Sequence, residues 1–134
     1  MRAHVEPRAA LNELGNELKV LHQRLIAATQ KDFEKLHGRV PGAGALLQLV
    51  VDDPLFAWLR PLSRAIAAID ELAAAEETDS AAVVDAYRSV SNLINEPGEF
   101  RATYLVYLQS DADVVMTHAA LRRLLPAKSG SDPH

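Results

Sequence analysis

A chain of 134 residues suits one domain, and 49% hydrophobic with 24% charged residues places it among folded globular proteins rather than disordered ones. The net charge of −4 divides into +2 over residues 1–40 (seven Lys/Arg, five Asp/Glu) and −6 over residues 41–134 (seven against thirteen), which excludes the basic face of a nucleic-acid binder. Without cysteine there are no disulfides, no thiol catalysis and no thiolate metal sites, and no apolar run approaches the ~18–20 residues that span a bilayer. The expected location is cytoplasmic, since the N-terminus lacks the apolar core of a signal peptide.

The first element is a long helix. Pro7 suits a first helical position, and Leu11, Leu14, Leu18, Leu21, Leu25 and Ala28 recur at spacings of three and four, one apolar seam down a helix. Beyond it the stripe drifts through Ile26, Thr29, Phe33 and Leu36, and Gly38 with Pro41 ends the element. Thirty residues at ~1.5 Å each reach ~45 Å, against a radius of gyration of ~14 Å for a compact domain of this size. The helix is therefore expected to kink at Gly15 or to project toward a second subunit.

Residues 38–44 read as a turn and residues 45–51 as a two-turn helix. Asp53-Pro54 is a helix start, an aspartate cap followed by a proline with no N–H to leave unpaired. Leu55, Leu59, Leu62, Ile66, Ile69 and Ala73 then form a stripe that runs through Pro61, predicting one kinked helix or two abutting ones with the Ala57 carbonyl left free. Thr78 or Asp79 caps a helix with the stripe Val83, Tyr87, Val90 and Ile94. Asn95 to Gly98 is a break, and Phe100, Tyr104, Tyr107 and Leu108 lie on the next helix. Ser110 with Asp113 resembles a capping box ahead of a last helix carrying Val114, His118, Leu121 and Leu125 and stopping at Pro126. The reading is all-α, a bundle or irregular array of five to six helices with a long N-terminal helix and a Pro-kinked central helix, in one domain over 1–126 with a flexible tail over 127–134.

Arg60 and Arg64, one turn apart beside the only Trp, Trp58, are the leading site candidates. Two guanidinium forks hold a carboxylate or phosphate; against this stand eighteen acidic residues with which they pair in a purely structural reading. Tyr104, Tyr107 and His118 complete the candidate ligand-binding set. Glu34 and His37 have the E-x-x-H spacing of carboxylate-bridged metal sites, but no second such pair follows, and the pair also suits the end of a helix. Asp52 and Asp53 read as capping residues, and Arg122, Arg123 and Lys128 as cations at a helix end. No phosphate-binding glycine loop, G-x-S-x-G elbow or H-E-x-x-H motif is present. No metal and no cofactor are expected.

The string DPLFAWLRPLS over residues 53–63, with Ile69-Asp70-Glu71 after it, resembles a segment of small uncharacterised bacterial helical proteins. The likeness covers roughly residues 45–72, with a looser one around Tyr104 and residues 119–123. It implies a bacterial cytoplasmic protein and no catalytic residue. Three functions are expected in descending order. The first is a non-catalytic interaction module that self-associates, as a dimer, because of the leucine seam. The second is a bundle that binds a small anionic ligand near Trp58, Arg60 and Arg64. The third is a metal-dependent enzyme using Glu34, His37 and Asp53.

Overall fold

The computed structural model describes residues 7–125, all helix and short turn with no strand among them. In chain order they form α1 (Pro7–His37), α2 (Ala43–Asp52), a 3-10 segment (Pro54–Leu59), α3 (Arg60–Ala74), α4 (Ser80–Asn95), α5 (Glu99–Ser110) and α6 (Ala112–Leu124). The all-α class, the long first helix and the kinked central helix are as expected. The expected tail, Lys128 and the boundary at 126 lie outside the described residues.

The seam of α1 is the core of the molecule. Leu11, Leu14, Leu18, Leu21 and Leu25 are fully buried, as is Thr29, and Ala28 nearly so. The helix runs unbroken for 31 residues. Gly15 is not where it breaks; it is where α3 comes close. A Cβ built on Gly15 would stand 3.2 Å from the Ile69 Cγ2 methyl group. The seam is covered inside the chain, by α3, α6 and the 3-10 segment. Only the end of the stripe departs from the expectation: Leu36 is 73% exposed.

That departure has a local cause. Gly38, at φ 86°, turns the chain out of α1, and Gly38 N–H still donates to the Glu34 carbonyl at 2.9 Å. The Glu34 carboxylate accepts from Val40 N–H at 2.8 Å, which turns Val40 into the core and carries the chain past Leu36 without covering it.

The kink in the central helix is a change of helix type. Asp53 Oδ1 accepts from Leu55 N–H at 2.9 Å and caps the segment. Its 3-10 winding has about three residues per turn, so the buried positions run Phe56, Leu59, Leu62. The 3.6-residue stripe had put Leu55 inward, and it is exposed. Pro61 falls in the first turn of α3, where a missing N–H costs nothing. The Ala57 carbonyl is not free either: Arg60 N–H donates to it.

The other caps follow the same chemistry. Asp79 Oδ1 accepts from Ala81 and Ala82 N–H at the start of α4. At α6 the cap is Asp111, which accepts from Asp113 and Val114 N–H. Ser110, the expected cap, is still helical and donates instead to the Val106 carbonyl.

Neighbouring helices close into a ring: α1 packs on α3, α3 on α4, α4 on α5, α5 on α6, and α6 back on α1. The 3-10 segment sits against α1, α3 and α5, with α2 laid over it. No helix among the described residues is long and apolar enough to cross a membrane.

Candidate functional site: a groove beside the 3-10 segment

Where the 3-10 segment passes into α3, the chain faces the first turns of α5 across an open groove of about 650 Å³. Ala57, Trp58, Arg60, Pro61 and Arg64 form one wall, and Glu99, Phe100, Ala102 and Thr103 the other. Three of the six expected ligand residues, Trp58, Arg60 and Arg64, therefore come together.

Both arginines are exposed. Among the described residues neither has a carboxylate within 4 Å, so the structural ion pairs weighed for them do not form. Arg60 donates to the Val51 carbonyl at 3.3 Å, across the junction between α2 and the 3-10 segment. The opposite wall is the amino end of α5, whose Gly98 cap supplies no side-chain acceptor for the first-turn N–H groups. Glu99 stands in that turn, where its charge suits the helix dipole. Two guanidinium groups against one carboxylate leave the groove with a surplus positive charge.

Trp58 is anchored from behind. Its ring stacks on Tyr107 at 5.5 Å and 14°, and lies 5.2 Å from Phe100. Its Nε1–H donates to the Thr29 hydroxyl at 3.3 Å, while that hydroxyl donates to the Leu25 carbonyl at 2.8 Å. The indole is thus a core anchor whose edge reaches the groove.

Tyr104, Tyr107 and His118 do not line the groove. Tyr104 is fully buried, and its hydroxyl shares a 2.7 Å hydrogen bond with His118 Nδ1 on α6. Burial pushes the Tyr104 hydroxyl well above its ordinary range. Burial, and then the charge of Arg122, hold His118 below the ordinary histidine value. Tyr107 donates to Asp32 on α1 at 2.7 Å, and burial together with that carboxylate pushes it up to about 12. These are links between helices. The spacing that put the two tyrosines on the inward stripe of α5 was right, but that stripe faces α1 and α6 rather than the 3-10 segment alone.

The other candidates also have structural partners. Glu34 accepts from Gln30 and from Val40 N–H, and the latter bond comes first among the effects that hold its carboxyl below the usual range. His37 packs on Phe33 at 4.5 Å. Among the described residues no three His, Asp or Glu side chains converge on one point. Asp53 caps the 3-10 segment, and Asp52 accepts from Gln48 at 2.8 Å.

Sequence reasoning missed Glu99, Phe100 and Thr103 as groove residues. No local pattern marks them, because they enter through the packing of α5 on the 3-10 segment. It also missed a Ser63 Oγ–His22 Nε2 contact of 3.0 Å between α3 and α1, 41 residues apart in the chain. That pair is a nucleophile beside a base, yet it lies away from the groove. Comparison with models of protein families, with curated proteins and with solved structures finds no match.

Proposed function

We propose that this chain is a helical protein that binds a small organic anion in the groove between the 3-10 segment and α5. The observation that carries the reading is the pair Arg60 and Arg64, one turn apart on α3, lining a groove and free of any carboxylate within 4 Å among the described residues. Guanidinium groups in that relation hold a phosphate or carboxylate through charge-assisted hydrogen bonds. The apolar part of the ligand meets Phe100, Pro61 and the edge of Trp58, and Thr103 offers a hydroxyl. Glu99 sets the selectivity: its charge opposes an anion at the amino end of α5.

The reading is one of binding rather than turnover, since the Ser63–His22 and Tyr104–His118 pairs both lie off the groove. It carries with it the bacterial and cytoplasmic setting suggested by residues 45–72 and by composition.

Trp58, the only tryptophan, reports on its own wall. Titration with phenyl phosphate, followed by Trp58 emission and by calorimetry, is expected to give saturable binding that phenol and inorganic phosphate match only weakly. Arg60→Ala and Arg64→Ala are each expected to weaken it by about tenfold or more, as the loss of a charged hydrogen bond costs ~1.5–3 kcal/mol. Glu99→Gln is expected to tighten it. If neither emission nor melting temperature responds to phenyl phosphate or to a panel of aryl carboxylates, the proposal fails.

A further inference from the structure

α2 is an apolar helix that the chain leaves largely uncovered. Its sequence, AGALLQLVVD, carries no charge before Asp52, yet none of its residues is buried. Gly44, Leu47, Gln48, Val51 and Asp52 are all exposed and, at spacings of three and four, share one face. Leu47 is 64% and Val51 58% exposed. A face of this kind costs free energy in water and calls for cover.

We infer that α2 packs against α2 of a second copy of this chain, antiparallel and about a two-fold axis that passes between Leu47 and Gln48. Charge and shape on α2 itself identify the occupant. In that register Val51 of one copy lies over Gly44 of the other, where nothing stands within 4 Å of the missing Cβ and the helices can come close. Asp52 of one copy lies against Ala43, the amino end of the other α2. That end has no side-chain cap, and a carboxylate there complements both the open N–H groups and the helix dipole. Arg39, exposed and without a carboxylate within 4 Å among the described residues, precedes Ala43 by four residues in the turn that leads into α2, where its charge also reaches the Glu34 carboxylate. A two-fold contact thus brings the acidic end of each α2 to the basic, uncapped end of its mate, twice over. Self-complementarity of this sort is the mark of an isologous dimer.

The patch is small. A ten-residue helix is ~15 Å long, so the interface falls at the low end of specific contacts and the association is weak and concentration-dependent. This dimer owes nothing to the seam of α1, and its face meets the ligand groove only through the bond from Arg60 to the Val51 carbonyl.

Sedimentation velocity of the full chain over a concentration series tests it. The wild type is expected to show a reversible monomer–dimer equilibrium. The double variant Leu47→Asp/Val51→Asp, which alters only exposed side chains, is expected to keep its circular dichroism and stay monomeric at the same concentrations. Arg39→Asp alone and Asp52→Arg alone are each expected to weaken dimerisation about tenfold, the effect of reversing two exposed ion pairs. An equimolar mixture of the two is expected to form a heterodimer, since each 39–52 contact then joins opposite charges. A wild type that stays monomeric throughout overturns the inference. So does a dimer indifferent to Leu47→Asp/Val51→Asp, or a mixture that associates no better than its components.

Discussion

His118 shows how one buried contact gives the fold a pH dependence. Its ring is held beside the buried Tyr104 hydroxyl, and both burial and Arg122 favour the neutral imidazole. The folded-state pKa therefore lies below the ordinary 6.5, and His22 is shifted the same way by burial. A depressed histidine binds fewer protons folded than unfolded in the interval between the two values. Its stabilising effect is complete above 6.5 and is lost as pH falls from there through the lowered value. The urea midpoint is expected to hold steady above that point and to fall below it, and His118→Asn is expected to flatten the fall. If His118→Asn and His22→Asn both leave the slope as it was, carboxylates and not these histidines govern the acid limb. Trp58 belongs at this scale too. Its place near Arg60 and Arg64 was legible from the sequence, but its bond to the Thr29 hydroxyl was not, because a threonine on a leucine stripe gives no sign of which distant N–H it will receive.

At the scale of the elements, caps and turns set the boundaries. Asp53, Asp79 and Asp111 each place a carboxylate oxygen on first-turn N–H groups. Replacing such a cap by alanine typically costs ~1 kcal/mol, so Asp111→Ala is expected to lower stability by about that amount while Ser110→Ala changes it by less than half as much. The reverse order in chemical denaturation would restore Ser110 as the cap. The two residues are adjacent, and both precede the apolar stripe of α6 at acceptable distances. Which one leaves helical geometry is decided by how far α5 continues, and α5 continues through Ser110 to satisfy the Asp111 N–H from the Tyr107 carbonyl. The 3-10 segment escaped notice for a related reason. Over six residues a period of 3.0 and one of 3.6 differ by about one position, enough to exchange Leu55 for Phe56 and too little to be seen in advance. The long seam of α1 spans several turns, and there the period was unmistakable.

For the whole molecule, the helices and most of their buried faces were legible, since amphipathic spacing is a local property. The order in which they pack was not. Leucines on a stripe are interchangeable as seen from one chain position, so the length of the α1 seam pointed to an intermolecular surface, whereas its leucines are buried within the chain. The groove likewise depends on α5 meeting the 3-10 segment, a contact between residues about forty positions apart. The ring that results has an asymmetry in time. The contacts of α3 with α4, α4 with α5, and α5 with α6 join consecutive helices, and each encloses only a short loop. The α1–α6 contact, with Arg24 3.3 Å from Asp113, joins the two ends of the described chain. Loop-closure entropy grows with the length enclosed, so this contact is expected to form last, on the native side of the folding barrier. Leu121, fully buried on α6, should register it. Leu121→Ala is expected to speed unfolding while leaving the refolding rate nearly unchanged, and stopped-flow chevrons in which refolding slows instead would put ring closure at the start. A protein closed last between its first and last helices opens there first, which makes α6 the segment that hydrogen exchange should find loosening before the rest.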